Sequence, residues 1–405
     1  MQIIVQKFGG TSVADFARIK NVANLVSAEQ AQGSRVIAVV SAMAGVTNSL
    51  ITSCSMLSKL DEPSALQEYD AAVASGEILT SALLALQLQS IGIKARSLQG
   101  WQVPIITDNA YGNAQVTEIN SQKIMDLLNQ GITPIITGFQ GVSISGDITT
   151  LGKGGSDTTA ALIAASVKAD RCDIYTDVDG IYTADPRVVH DARHINFIDI
   201  DELYALCCSG AKVLHPRAAL CAKRYGFNMR ILSSFNAGAS TTTTFEKGQN
   251  NMENRKITAI TSNKNLLKIT IDHLAHNFIN IFESFSQSLV AIEQSFNFQN
   301  DQMVIIANLV DKNKCEKLLG SLKDNLKIKK YNIEANISTV TIVGFGIKND
   351  NEFVLEIIKL LNNNEVTILS TDFSDIKMSI MINDYDNEKA LKLLHEYCFA
   401  SDKEH

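Results

Sequence analysis

Ile3-Ile4-Val5-Gln6-Lys7-Phe8-Gly9-Gly10-Thr11-Ser12-Val13 is the stretch on which the reading of this chain turns. A short apolar strand runs into a glycine pair, and a helical pattern begins at Val13 and continues to Ala28. Adjacent glycines let backbone N–H groups approach an anion with no Cβ in the way, and a following helix points the positive end of its dipole at the same place. The lysine stands ahead of the glycines. In a Walker-type loop it follows them, directly before Ser or Thr, so this layout predicts phosphate binding of another class. Taken alone, Gly9-Gly10 fits a plain strand-to-helix turn better than a phosphate loop, and the rest of the chain has to decide.

A second glycine loop, Leu151-Gly152-Lys153-Gly154-Gly155-Ser156-Asp157, opens a helical pattern from Thr158 to Lys168. It too fails the Walker spacing, because position 147 is Asp and the residue after Lys153 is Gly. Asp157 falls in the first helical turn, where an acidic residue is either a cap or a site residue. A third segment, from Tyr175-Thr176-Asp177 through Tyr182-Thr183-Ala184-Asp185-Pro186-Arg187, is a strand end followed by an acidic loop. Its spacing lacks the bidentate Glu of a calcium loop, and Asp/Gly-rich turns are common at strand ends, so by itself it is ambiguous.

With 405 residues the chain exceeds one ordinary core, and two or three domains are expected. Hydrophobic residues make up 45% and charged residues 20%, with a net charge of −7. Residues 1–247 carry 19 basic and 22 acidic side chains, and residues 248–405 carry 17 and 21, so neither part presents a basic face for nucleic acid. No charged leader precedes an apolar run at the N-terminus, and apolar stretches such as Val36 to Val46 are too short for a bilayer, which predicts a cytoplasmic protein. The seven cysteines show no zinc-like spacing and read as reduced thiols.

Of the 23 glycines 19, and all five prolines, lie before residue 248. This first part alternates apolar strands (Arg35 to Ser41, Pro134 to Gly138, Cys172 to Thr176) with helical patterns, among them Ala71 to Ser90. The alternation predicts an α/β fold, a mainly parallel sheet sandwiched by helices, with ligands at the carboxyl ends of the strands. A polar stretch from Glu246 to Lys256 reads as a linker. Beyond it, strand, helix, two strands and helix (from Leu267 to Leu322) recur about 73 residues later, from Val340 to Tyr397. Two ferredoxin-like α+β modules are predicted, giving domains at 1–247, 258–335 and 336–405.

Together these segments resemble the aspartokinases of the amino-acid kinase superfamily. The resemblance runs nearly continuously from residue 2 to about 245. It rests on Lys7 to Ser12, Val39-Val40-Ser41-Ala42-Met43, Gly76-Glu77, Gly138-Phe139-Gln140-Gly141, Gly154-Gly155-Ser156-Asp157, Tyr182 to Arg187, and Gly210-Ala211-Lys212-Val213-Leu214-His215-Pro216. The order of elements in the second part is similar to the paired ACT modules of that family.

The resemblance implies ATP-dependent phosphorylation of the side-chain carboxylate of L-aspartate to 4-phospho-L-aspartate, leading toward diaminopimelate, lysine, threonine and methionine. A carboxylate nucleophile is ionised at pH 7, so such chemistry needs positioning and positive charge more than a strong base. Carried over by position, Lys7 holds phosphates together with Phe8, Gly9 and Gly10, and Asp157 orients Lys7. Thr176, Asp177, Tyr182, Thr183, Ala184, Asp185, Pro186, Arg187 and Lys212 match ATP-binding positions. Ser41, Thr47, Glu77, Lys153, Gly154, Gly155 and Ser156 match the acceptor side, with Glu77 facing the substrate ammonium. Mg2+ is implied, held mainly by phosphates and water rather than by a protein cage.

Two departures from the family pattern carry expectations. Lys153 stands where most aspartokinases have Arg; an ammonium cannot form the planar two-bond fork of a guanidinium, so a raised KM for aspartate or a shifted acceptor is expected. The Pro-Gly usual in effector pockets is replaced by His273-Leu274-Ala275-His276 and Ile347-Lys348-Asn349-Asp350, so the modules are expected to serve dimerisation more than feedback by lysine or threonine. Met252 matches the place where some relatives start a separate regulatory subunit. The competing readings are a kinase for another small acidic acceptor and a regulatory subunit without turnover.

Overall fold

The computed structural model describes residues 1–60, 62–236, 238–245, 256–272, 278–288, 290, 292–299, 302–326 and 330–400. Most of the expected linker, Met252 and His273 to His276 therefore lie outside the described residues. Two compact units form. One comprises Met1–Tyr182, His194–Cys208 and Lys212–Asn250; the other comprises Thr183–Arg193, Ser209–Ala211 and Asn251–His405.

The first unit starts with β1 (Ile3–Phe8), α1 (Phe16–Ala31), β2 (Arg35–Val40), α2 (Val46–Leu57), α3 (Pro63–Val73), α4 (Ser75–Ser90) and β3 (Ala95–Leu98). After these come β4 (Ile105–Thr107), β5 (Val116–Ile119), α5 (Gln122–Asn129), β6 (Thr133–Thr137), β7 (Gln140–Ser143), β8 (Ile148–Thr150), α6 (Gly155–Ser166) and β9 (Arg171–Thr176). Next are β10 (Ile181–Tyr182), β11 (His194–Ile195), β12 (Phe197–Asp199), α7 (Ile200–Cys208), α8 (Pro216–Tyr225), β13 (Asn228–Ser233) and β14 (Ser240–Thr244). Eight strands make the main sheet in the order β12-β14-β13-β9-β1-β2-β6-β3. From β13 to β3 all run parallel, while β14 opposes β13 and β12 follows β14.

Central strands of a parallel sheet covered on both faces are apolar throughout, as Arg35-Val36-Ile37-Ala38-Val39-Val40 is beyond its first residue. On one face Val22 and Val26 of α1 and Leu84 and Leu88 of α4 bury against Phe8, Val36, Ala38, Val40 and Ile135. Each such side chain contributes about 1.5–3 kcal/mol of burial. Phe8 also stacks on Tyr175 of the neighbouring strand, ring centroids 4.7 Å apart. A four-stranded sheet, β5-β4-β7-β8, stands beside the main one; its short strands escaped the sequence reading.

Three local outcomes differ from the expectations. The helix expected from Val13 is delayed: Gly10–Val13 forms a 3-10 turn and α1 begins at Phe16, where Asp15 is extended and its side chain accepts the Arg18 N–H at 2.8 Å. The helix expected over Ala71 to Ser90 starts earlier, at Pro63, and pauses at Ala74. Taken as one stretch, Pro63–Ser90 is long and apolar enough to cross a membrane by length and composition, contrary to the expectation that no segment is, but half of its most apolar window is buried within the fold. The threonines 241–244 ahead of the linker belong to β14. Thr241 accepts the Ile181 N–H at 2.7 Å and donates to the Ile195 carbonyl at 2.6 Å.

The second unit holds β15 (Lys256–Asp272), α9 (Phe278–Gln287), β16 (Ile292–Gln299), β17 (Gln302–Asn308), α10 (Lys312–Leu326) and β18 (Lys330–Phe345). These are followed by α11 (Asn351–Asn363), β19 (Ile368–Ser374), β20 (Lys377–Asn383) and α12 (Asn387–Phe399). One antiparallel sheet, β16-β17-β15-β18-β20-β19, serves two cores. Ile269, Phe285, Met303 and Leu319 fill the first, and Ile260, Val340, Phe353, Ile380 and Leu394 the second. The expected border at 335/336 falls inside β18, because β15 and β18 each run through both modules. Residues 183–193 leave the expected catalytic domain because Ala184 and Val189 are buried in the second core. Residues 209–211 do so too, with the Gly210 backbone close against Ser262 and Asn263.

Candidate active site

Strands β1, β2, β6 and β9 end level: Phe8 lies beside Val40 and Tyr175, and Val40 beside Thr137. The ladder continues one residue further into each loop. Gly9 N–H reaches the Tyr175 carbonyl at 3.3 Å, Ser41 N–H the Phe8 carbonyl at 3.1 Å, and Gly138 N–H the Val40 carbonyl at 2.9 Å. Glycines are needed here for close approach. A Cβ on Gly10 would stand 3.0 Å from the Ala42 carbonyl oxygen, and one on Gly138 would stand 2.6 Å from Ser156 Oγ and 3.0 Å from its Cα. The Gly9-Gly10 turn and the start of α6 are thus brought to one edge of the sheet.

At that edge Lys7 Nζ lies 2.7 Å from Asp157 Oδ1, both side chains only a tenth or so exposed (11% and 13%). Asp157 Oδ2 accepts the backbone N–H of His215 at 3.3 Å. The loop before it turns through Gly152 and Gly154, both left-handed (φ 71° and 70°), and the His215 ring sits against Gly154 so closely that a Cβ there would come within 2.1 Å of it. Burial, reinforced by the Arg217 and Lys153 charges, holds the His215 imidazole below its usual value and hence neutral at pH 7. Its Nδ1 can then accept the Arg217 N–H, capping α8.

Glu77 occupies the first turn of α4, 3% exposed. Its Oε1 accepts the Ala42 N–H at 3.0 Å, and its Oε2 is buried with no hydrogen-bond partner among the described residues. Burial pushes its carboxyl up to about 7, opposed by the Ala42 N–H. Ser41 adjoins this contact. Thr47 follows on the first turn of α2, reached through left-handed Gly45, and Val46 packs beside Gly76, within 3.3 Å of where a Cβ would stand. Ser41 thus lies one residue from the Ala42–Glu77 contact, and the start of α2 lies against the residue before Glu77. Lys153 is exposed, whereas Gly155 and Ser156 are buried in the turn that presents Asp157.

Thr176 ends β9, its hydroxyl donating to Asp177 Oδ1 at 3.1 Å and its carbonyl accepting the Ser234 N–H at 3.0 Å. Tyr182 meets His194 edge-on and donates to Asp179 at 3.0 Å. Lys212 is exposed in the turn ahead of α8. Thr183 to Arg187 belong to the second unit. There the Thr183 hydroxyl and His395 Nε2 lie 2.9 Å apart, Ala184 is buried in the core, and Arg187 forms an exposed fork on Asp185 beside Pro186. The Thr183 and Ala184 side chains are thus committed to packing. Among the described residues no three His, Cys, Asp or Glu side chains converge as a metal cage.

Asp70 and Arg217 were not singled out from the sequence, and His215 entered only within the Gly210 to Pro216 motif with no role of its own, although each fastens the second loop. Of the first two, Asp70 left a signal, as an acidic residue next to an apolar helical run, and that pattern has many ordinary explanations.

The model of the Amino acid kinase family matches residues 2–233. An aspartokinase of Rickettsia felis is 46% identical over 392 residues, covering 96% of this chain and 98% of its own. Aspartokinase 2 of Bacillus subtilis is 37% identical over 402 residues, covering 98% and 97%. In fold, the chain is similar to E. coli aspartokinase III solved with aspartate and ADP, at a TM-score of 0.82 and 24% identity, covering 98% and 100% of the two chains.

Proposed function

Since this chain belongs to the aspartokinases, within the amino acid kinase family, we propose that the Lys7–Asp157 pair marks the point where ATP meets L-aspartate. The protein is an aspartate kinase: it transfers the γ-phosphoryl group of ATP to the side-chain carboxylate of L-aspartate, the first step of the aspartate pathway. A carboxylate oxygen bonds to the γ-phosphorus as the bond to the β,γ-bridging oxygen breaks, giving 4-phospho-L-aspartate and ADP. Two anions must be held together while charge spreads over the equatorial phosphoryl oxygens, so fixed cations and backbone N–H groups carry the catalysis.

In this reading Lys7, with the N–H groups of Gly9 and Gly10, holds the β- and γ-phosphates beside Phe8. Thr176, Asp177, Tyr182 and Lys212 form the nucleotide side. Asp157, 2.7 Å away, aims Lys7. Glu77 receives the substrate ammonium on its unpaired Oε2, while Ser41, Thr47, Lys153 and the backbone of Gly154, Gly155 and Ser156 receive the carboxylates. Mg2+ would be held mainly by the ATP phosphates and water, where it would offset their charge. The observation that carries the reading is the 2.7 Å contact of Lys7 with Asp157, which ties together two glycine loops 150 residues apart. We further assign the protein to the cytoplasm and the second unit, with its edge strands β16 and β19, to homo-oligomer formation. A separate regulatory subunit started at Met252 belongs to the same reading.

The test is ATP-dependent acyl phosphate trapped as the hydroxamate over a panel of amino acids. Signal with aspartate above all others is expected. A stronger signal with glutamate, or none with any acceptor, would overturn the assignment of the acceptor site.

A further inference from the structure

The second glycine loop has little with which to hold itself. Gly152 and Gly154 both adopt left-handed conformations, Lys153 between them is exposed, and glycines bring no side chains to pack. Its entry is nevertheless fastened at two consecutive residues. Asp70 of α3 is fully buried; it accepts the Thr150 N–H at 2.8 Å and the Thr150 hydroxyl at 2.5 Å, and both its oxygens accept the Gly112 N–H, at 2.9 and 3.0 Å. Arg217 of α8, half-buried, donates to the Leu151 carbonyl at 2.7 Å and to the Ala114 carbonyl at 3.2 Å. Each charged side chain therefore bridges one residue of the loop entry to the turn at 112–114. Between them the Ala114 N–H meets the Thr150 carbonyl at 2.8 Å, and Gly152 lies so close to this turn that a Cβ on it would stand 2.7 Å from Asn113 Oδ1.

Neither Asp70 nor Arg217 pairs with an opposite charge in these contacts; Arg217 spends its charge on backbone carbonyls, and Asp70 on backbone N–H groups and the Thr150 hydroxyl. Burying an ionised group this way is costly unless its hydrogen bonds are well made, so the two side chains hold their backbone partners to one geometry. Those partners are the two residues immediately before Gly152-Lys153-Gly154. Asp70 also lies on the helix that leads, through Ala74, into Glu77.

We propose that Asp70 and Arg217 are positioning residues for the acceptor subsite, setting where Lys153 and the Gly154-Gly155 backbone stand relative to Glu77 without touching substrate. This rests on the assignment of the second loop to the acceptor. The two guanidinium contacts come from separate Nη atoms, a span that an ammonium, a single point donor, serves at one carbonyl only.

Steady-state hydroxamate kinetics on the full chain, with aspartate and ATP varied in turn, test it in Asp70→Asn, Arg217→Gln and Arg217→Lys. Asp70→Asn and Arg217→Gln are expected to raise the KM for aspartate about tenfold or more while the ATP KM stays within about twofold, with Arg217→Lys intermediate. An unchanged aspartate KM, or equal rises in both KM values, would overturn the proposal. So would an Arg217→Lys variant equal to wild type, since charge alone would then account for the effect. If Asp70→Asn does not fold, the two Arg217 variants decide. A wild-type chain without aspartate turnover would instead remove the acceptor assignment itself.

Discussion

Lys153 is the exposed side chain of the second glycine loop, which we assigned to the acceptor, and it stands where the family resemblance leads one to expect arginine. Restoring the guanidinium restores a two-bond grip. A charge-assisted hydrogen bond is worth about 1.5–3 kcal/mol, or roughly ten- to 150-fold, and the exposure of Lys153 places the gain near the lower end. Lys153→Arg is therefore predicted to lower the aspartate KM about tenfold at saturating ATP; no change would show that this side chain does not grip substrate. Glu77 makes a pH prediction. Its carboxyl is raised from 4.5 to about 7, chiefly by burial, so the folded chain holds this proton more tightly than the unfolded chain. Its contribution to stability is full below about 4.5 and is lost as pH rises through about 7. A substrate ammonium on Oε2 favours the ionised form. The aspartate KM should thus fall as pH rises from 6 to 8, and Glu77→Gln should flatten both profiles while raising that KM. Lys7, Asp157 and Glu77 were legible in the sequence because their neighbours are diagnostic. Asp70 and Arg217 were not, because their partners are backbone atoms 42 to 103 positions away and no local pattern reports them.

The elements show where local chemistry was enough and where it was overruled. Asp15 moved the start of α1, and a sequence reader alert to caps could have placed it. The short strands β4, β5, β7 and β8 carry three or four residues each, too few for a period of two to stand out. The α6 start presents Asp157 to Lys7, and its proposed role can be tested through Gly154. An alanine there must accept a left-handed backbone and also displace the His215 ring, costs that together come to about 2–4 kcal/mol. Gly131 has the same φ of 70° with nothing within 4 Å of its missing Cβ. Denaturant midpoints should therefore fall clearly more for Gly154→Ala than for Gly131→Ala, and only the former should reduce turnover. Equal losses would mean that the His215 contact is dispensable.

At the scale of the molecule, the division into units is not the division of the sequence. Residues 183–193 are chained to the first unit yet bury Ala184 and Val189 in the core of the second, where Thr183 meets His395 and its carbonyl accepts the Ile260 N–H at 2.7 Å. A chain ending at residue 250 would leave these groups without a core. It should express with lower solubility than the full chain and show fast amide exchange over 183–193, where the full chain is protected; equal protection would show that this segment folds without the second unit. The sequence by itself determined the parallel α/β plan, the two phosphate-type loops, the aspartokinase resemblance and the doubled β-α-β-β-α order. All of these are written in local periodicity or short motifs. Only the tertiary structure decided that Lys7 meets Asp157, that Asp70 and Arg217 fasten the acceptor loop, that β15 and β18 serve both modules, and that 183–193 belongs with the second unit. Periodicity reports which face of a segment is buried, but not against what. That is settled by the energy of bringing distant segments together.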